Sequence, residues 1–543
     1  MPVVTSYPGI YIQELPSNTH TIAAAPTSVT VFVGYVHPFK PTPSYFGTAL
    51  EIFSFSDYER LFGGFYQSAF IDANVPFAVN EFFQNGGTDA IIVGLQPKDY
   101  FDKNGNNLGA VAAATNSLAV NGTNGIEFTA LEPTDTLPIS VTINNVQNDG
   151  SSNATIADLS ITFGAQTEVY RKISLVDKIS SKDNPNFIER RVNGVSGLVT
   201  ATPNTTYPTA FSSLTYTEQK NLTTTVPSGT VGVFNAADFL AVFQEDSSLD
   251  KVQIFNILLT PGVINNGVLS EALAFCERKL AFYIMDPPKI DVADPPTNWV
   301  GDFLGNTAGD TAGNVAPMSA NGALYFPYLL STNPVTGQPT DVTGATFTLP
   351  PSGYVAGIYA ATDSARGVWK APAGLATTLL DTTGVVTPGG LMTDSRQGVL
   401  NSIGVNCIRS FPGAGTVVFG ARTLVSANPA FQQWKYVPVR RMALFLEQTL
   451  KTNLTWVIFE PNDDPLWVSI RTSIESFMLS LFNQGAFAGT TPSEAFQVKC
   501  DSTTTTPDDQ ANGVVNIIVG FAPLRPAEFV VVKIAQLAGQ AQS

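Results

Sequence analysis

Histidine is almost missing from this chain. Its 543 residues include only His20 and His37, both near the start. A Ser-His-Asp or Cys-His relay would have to use one of them, and no G-x-S-x-G element is present. Both are expected to be surface or loop residues. Cysteine is scarce as well. Cys276, Cys407 and Cys500 lie far apart, with no C-x-x-C pair, which argues against a disulfide framework or a zinc site and fits a reducing compartment. Charged residues make up 13%, against about a quarter in an ordinary soluble protein. Much of the surface is therefore expected to face other protein. The net charge of −16, with no Lys/Arg-rich block, argues against nucleic acid as the main partner. The acidity itself requires no more than solubility. No apolar run approaches the roughly 18 residues of a membrane span, so no direct membrane insertion is expected. The opening "MPVVTSYPG" lacks the basic and apolar regions of a secretory signal.

Hydrophobic residues reach 44%, enough for sizeable cores, and the length suggests about three or four domains. "APTSVTVFVGYV" alternates Val29, Val31 and Val33 as a buried strand would. "FSFSDYERLFGGF" carries Ser56 and Glu59 at capping-box spacing and predicts a helix ending at Gly63–Gly64. "VPFAVNEFFQNGG" predicts a second helix and "DAIIVGL" a buried strand. From about 104 to 227 the composition turns to Thr, Asn, Ser, Gly and Val, the pattern of an inserted β-rich domain. From about 232 to 424 the pattern is β-α-β: "VQIFNILL", "VLSEALAFCERKL", "AFYIMD", "ALYFPYL", "PSGYVAGIYAATDSA". Apolar strands joined by helices predict a mainly parallel sheet covered on both faces.

The last part predicts a helix in "RRMALFLEQTLKTNL" and a strand in "WVIFE". A long helix comes next, from Asp463 or Asp464 to Gly485, with an apolar stripe of Leu466, Ile470, Ile474, Phe477, Met478 and Leu481. "EAFQVKC" and "VVNIIVGF" read as strands. The fold class is thus α/β in a multi-domain α+β arrangement. Two detached β-prone runs remain, "YPGIYIQELP" at one end and Phe529 to Ile534 at the other. Each would expose an edge that invites pairing. Pairing between subunits and pairing of the two ends within one chain both fit the composition.

Chemistry is hard to find. No phosphate loop or dinucleotide fingerprint is present, and "FPGAGTVVFG" reads as a turn. "DPPKIDVADPP" and "NDDP" lack the spacing of a calcium loop. Asp286 stands at a strand C-terminus, the usual address of an α/β active site, without a recognisable catalytic partner. No enzyme activity, cofactor or metal is expected.

Five stretches, in order, resemble the tail sheath proteins of contractile phages and phage-like contractile injection systems. They are "YPGIYIQE"; "FSDYERLFGG" with "FFQNGGTDAIIVGL"; "PPSGYVAGIYAATDSARGVWKAPAG"; "GVNCIRSFPGAGTVVFGARTL"; and the run from "WKYVPVRRMALFLEQTL" to "FAPLRPAEFVVVKIAQ". They span nearly the whole chain except about 104–227. The resemblance implies an N-terminal β arm at 1–20, the first part of an inner α/β region at 21–103, and a variable outer insertion at 104–227. It further implies a subtilisin-like α/β domain without protease activity at 228–427, a tube-facing domain at 428–520, and a C-terminal β arm at 521–543.

The resemblance also implies a contractile subunit. It would stack in helical rings around an inner tube and shorten without consuming nucleotide, driving the tube through a target envelope. The arms would complete a β-sheet between subunits through Ile10, Tyr11, Ile12, Phe529, Val530, Val531, Val532 and Ile534. Residues Pro16 to Ala25 and Phe521 to Pro526 are the expected hinges. Arg440, Arg441, Lys451 and Arg471 are candidate inner-tube contacts, against ordinary surface or intersubunit salt bridges. The implied partners are further copies of the chain or sheath paralogues, the tube protein, the baseplate and a tail terminator or cap. Assembly would take place in the bacterial cytoplasm, in a phage tail or an injection particle. The competing readings are an α/β hydrolase, opposed by the missing histidine, and a surface adhesin, opposed by the missing signal.

Overall fold

The computed structural model describes residues 20–120, 124–148, 155–204, 220–289, 317–387 and 392–533. They form two compact units. Among the described residues the larger is drawn from 27–365 and 372–437, and the smaller from 20–26, 366–371 and 438–533.

The larger unit begins with β1 (Thr30–Tyr35), β2 (Ala49–Ile52), α1 (Phe55–Phe62), α2 (Val75–Gln84) and β3 (Ala90–Leu95). The insertion supplies β4 (Thr115–Val120), β5 (Asn124–Ala130), β6 (Ile139–Asn148), β7 (Thr155–Phe163), β8 (Gln166–Ser174), β9 (Val199–Pro203) and β10 (Lys220–Leu222). The chain then returns through β11 (Ile257–Leu259), α3 (Asn266–Lys279), β12 (Phe282–Met285), β13 (Gly322–Phe326), α4 (Ser352–Arg366), β14 (Val405–Phe411) and β15 (Gly415–Val418).

One eight-stranded sheet runs β2-β3-β1-β11-β12-β13-β14-β15. Its six inner strands pair in parallel, and the two outermost pair antiparallel. Every residue of β1, β3 and β12 is buried, which explains their unbroken apolar character: helices or loops cover both faces. The mainly parallel sheet expected from the β-α-β pattern is present, and it draws strands from both sides of the insertion. On one side α2 and α4 touch backbone to backbone. A Cβ on Gly353 would lie 2.4 Å from the carbonyl oxygen of Ala78, so the small residues of "SGYVAG" set the helix spacing.

The insertion is a pair of antiparallel sheets, β8-β7-β6-β10 and β9-β5-β4. Their inward residues, among them Ile126, Phe128, Val141, Leu159, Ile161 and Val199, share one core. The alternation of Thr and Ser with Val, Ile and Leu is that of strands with one buried face.

The smaller unit contains α5 (Val437–Asn453), α6 (Asp464–Asn483), β16 (Phe496–Lys499) and β17 (Ile518–Phe521). Every residue of the expected α6 stripe is buried. Asp463 caps α6 by accepting from the Leu466 N–H at 3.2 Å, with Pro465 in its first turn. Leu466, Ile470, Ile474 and Phe477 meet Met442 and Phe445 of α5 in the core.

Four expectations change. The cap of α1 is Ser54 with Asp57, rather than Ser56 with Glu59. The Ser54 hydroxyl oxygen accepts from the Asp57 N–H, and the Asp57 carboxylate accepts from the Ser54 hydroxyl and the Phe53 N–H. Both pairs have the right spacing, and extended backbone at Ser54 decides the register. "WVIFE" is no strand: Thr455–Val457 is a 3-10 turn after α5, and Phe459 takes φ 72°. Trp456 and Val457 turn instead toward the helical core. His37 is fully buried. Finally, the described part of the first hinge is pinned. Ile22 is buried, Ala23 and Ala25 donate backbone N–H groups to Asn453 and Thr449, and His20 stacks on Trp456 at 3.8 Å. Among the described residues, no helix is long and apolar enough to cross a membrane.

Candidate assembly surfaces

Three sites carry the groups that sequence reasoning singled out. The first is the carboxyl end of the parallel sheet. Asp286 follows β12 and is buried. Its carboxylate accepts from the Ser352 N–H at 2.8 Å, the Ser352 hydroxyl at 2.7 Å and the Gly262 N–H at 2.9 Å. Burial pushes its pKa up to about 6, against the downward pull of these bonds from Ser352 and Gly262. Two of the three bonds come from the first residue of α4, where N–H groups lack helical partners. Asp286 therefore clasps the start of α4 from the neighbouring strand, and its acceptors are occupied by the scaffold.

His37 is committed in the same way. Its Nε2 lies 2.8 Å from the Glu132 carboxylate, and its Nδ1 accepts the N–H groups of Phe39 and Lys40 at 3.2 and 3.1 Å. Nδ1 is held as an acceptor, so Nε2 carries the proton. Burial pushes the imidazole below the usual histidine range, outweighing the opposing pull of Glu132. Nearby, the Asp135 carboxylate accepts from the Ser68 hydroxyl. His37 and Ser68 thus seat the 132–135 segment of the insertion. Sequence spacing offered no signal for this pair, because its members are 95 positions apart.

The third site lies in the smaller unit. β16 and β17 form a two-stranded antiparallel sheet with the register Phe496↔Phe521 to Lys499↔Ile518. Beyond it, Pro523 makes an isolated antiparallel bridge to Phe487, in a different segment. One face of the sheet rests on the helical core through Val498, Val519 and Phe521. The opposite face exposes Ile518. After Pro523 the chain leaves regular structure, and Phe529, Val530, Val531 and Val532 stand between 71% and 82% exposed. Four consecutive large apolar residues in water are a costly surface for an isolated chain. Ile10, Tyr11, Ile12 and Ile534 lie outside the described residues.

The four basic candidates divide. Arg441 is only 3% exposed, so its guanidinium offers no contact surface. Arg440 pairs with Glu447 at 3.3 Å and Arg471 approaches Glu475 at 4.0 Å. Lys451 is exposed. Arg441 is thus closed off and Arg440 is held by an ion pair, whereas Arg471 stays partly exposed and Lys451 projects from the last turn of α5.

Comparison with known proteins places the chain by its domains. Residues 247–424 match the phage tail sheath protein central domain, and residues 430–536 match the phage tail sheath C-terminal domain. Together these matches cover more than half of the chain. The chain is 26% identical to the tail sheath protein of Vibrio phage KVP40 over 155 residues, which is 28% of this chain and 22% of that protein. The match thus spans about a fifth of the phage protein's length. Among solved structures, the fold is similar to the helical sheath of the anti-feeding prophage in its contracted state. There the TM-score is 0.54 and the identity 23%, covering 98% of this chain and 100% of the other. It is similar also to the contracted sheath complex of the extracellular contractile injection system PVC, with TM-score 0.53 and 22% identity, over 98% and 99% of the two chains. With the parallel-sheet unit and the smaller helical unit each matching a sheath domain, the chain belongs to the phage tail sheath protein family.

Proposed function

We propose that the chain is the repeating subunit of a contractile sheath. It polymerises as helical rings around an inner tube, is started by a baseplate, and shortens to drive the tube through a target cell envelope. The observation that carries this reading is the exposed apolar run Phe529–Val532, placed just past a two-stranded sheet in the same unit. A free run and a short sheet on one molecule are the two halves of a β-augmentation contact. Because they are different patches, the contact is head-to-tail, the kind that builds rings where the rotation closes and open helical polymers where it does not. The occupied acceptors of Asp286 and His37 support a structural rather than an enzymatic role.

The energy of the stroke comes from interfaces formed on contraction, with no nucleotide consumed. The pairing must survive rotation of the bodies it connects. Of the expected hinge Phe521 to Pro526, Phe521 lies in β17, and Ala522 and Pro523 are paired with neighbouring segments of the same chain, so residues 524–528, outside helix and strand, supply the slack. Lys451 is the basic candidate best placed for the tube. A phage tail and an injection-system particle use the same subunit logic, and both are consistent with the similar structures. The tube protein, the baseplate, a terminator and any sheath paralogues are the partners this role requires.

The test is electron microscopy and sedimentation of the protein, alone and with its tube partner. Sheath-like tubes are expected from the intact chain. They should be lost on deleting residues 1–15 and with Val531→Pro, which removes a ladder donor. Robust tubes from either variant would overturn the reading.

A further inference from the structure

The loop joining α5 to α6 presents a second apolar feature in the smaller unit. Ile458 is 62% exposed and Phe459 is 103% exposed, with nothing over its ring. Phe459 also holds φ at 72°, the left-handed region that a bulky L-residue rarely enters. Sequence propensity favours a strand here, so the local conformation opposes the residues' own preference. Strain of this kind persists where the surroundings enforce it, and it concentrates at functional contacts.

The surroundings do enforce it. Asn462 donates from Nδ2 to the Val514 carbonyl at 3.0 Å and accepts from Trp467 Nε1 at 2.8 Å, while its own carbonyl accepts from Gln510 at 2.9 Å. Asp463 caps α6 one residue later. The base of the loop is therefore fastened, and its tip pushes an aromatic ring into water. Around that tip stand Glu460, Asp463 and Asp464, all exposed. No basic residue occurs between Lys451 and Arg471. The feature is an apolar knob ringed by negative charge.

The same unit carries its chemical complement. The exposed run Phe529–Val532 is preceded by the half-buried Glu528 and followed by the exposed Lys533, and in an extended run Glu528 falls on the face opposite Lys533. Among the described residues run and knob are each exposed, so they do not cover one another within one chain. We infer that Ile458 and Phe459 of one copy form the docking wall for the Phe529–Lys533 run of a second copy. In an extended run Phe529, Val531 and Lys533 share one face. That face would lay Phe529 and Val531 against the knob and bring Lys533 to the carboxylates. The contact rests on the reading that this run leaves its own chain for a neighbour, and it adds what receives the side chains.

Cross-linking tests it. The three native cysteines are buried, so engineered thiols report without background. A Phe459→Cys chain and a Val531→Cys chain are mixed under mild oxidation. A disulfide-linked dimer is expected in the mixture and in neither chain alone, because the contact needs one patch from each copy. A double variant should give a ladder of higher oligomers. The absence of a mixed disulfide, or equal cross-linking of each chain with itself, overturns the inference. Two unlinked controls separate it from the reading it rests on. Tubes that survive Val531→Pro sink the arm reading and this contact together. Tubes lost with Val531→Pro but formed normally by Phe459→Ala, whose unfolding temperature should equal that of the parent, sink only the knob.

Discussion

Asp286 offers the sharpest test of whether the carboxyl end of the sheet is scaffold or chemistry. Replacing it by alanine removes the acceptors of the Ser352 N–H, the Ser352 hydroxyl and the Gly262 N–H. A buried N–H left without a partner costs about 1–3 kcal/mol, and with Ser352 buried and Gly262 half-buried the two together give about 2–4 kcal/mol. An opposing term depends on pH. The folded pKa of about 6 stands above the intrinsic 3.8, so the native state binds the proton more tightly than the unfolded state. The stability this group contributes is full below the unfolded value and falls as pH rises through the folded value. The whole fall is about 3 kcal/mol, of which about 1–1.5 kcal/mol lies between pH 5 and pH 8. The alanine variant lacks that fall. Its penalty relative to the parent should therefore shrink by about 1–1.5 kcal/mol from pH 5 to pH 8. Hydrogen exchange of the α4 amides at the two pH values, corrected for intrinsic rates, reads the difference locally. A penalty that is constant, or that grows with pH, would refute the argument that desolvation dominates this carboxyl.

Two other changes probe the core of the larger unit. Acidification below about pH 6.5 should weaken the seat of the insertion, because His37 is held below its unfolded pKa: its contribution is present above the unfolded value and is lost as pH falls. Hydrogen exchange of residues 130–136 should accelerate there in the parent, and His37→Gln should flatten that pH dependence. Gly353→Ala places a methyl 2.4 Å from the Ala78 carbonyl oxygen, where neither helix backbone can yield locally. It should cost at least about 1–3 kcal/mol by overpacking, read as a lower urea midpoint with an unchanged slope.

Elements with strong local signals were legible before the tertiary structure was known. The α6 stripe has the helical period, an aspartate cap and a proline in the first turn, and all six of its residues are buried. The parallel strands read as continuous apolar runs because both faces are covered. The capping pair of α1 was misplaced by two residues because two Ser–acid pairs share the same spacing, and only backbone geometry chooses between them. "WVIFE" misled for a different reason. Its β-prone residues have no strand beside them, and a lone strand cannot satisfy its backbone groups. The candidate surfaces were half visible. An apolar run shows in the sequence, but its exposure does not, and neither does the burial of Arg441 beside the half-buried Arg440.

The sequence by itself determined the fold class, the β-rich character of the insertion, the two long helices and two paired strands of the smaller unit, and the scarcity of groups for catalysis. Each of these comes from composition or from a period within a dozen residues. Tertiary structure alone decided that His37 meets Glu132 and that Asp286 clasps α4. It also decided that the Phe459 ring stands in water while Trp456, three residues earlier, turns to the core. Those outcomes depend on which distant segments arrive at one place, and only the summed packing of the whole chain selects them.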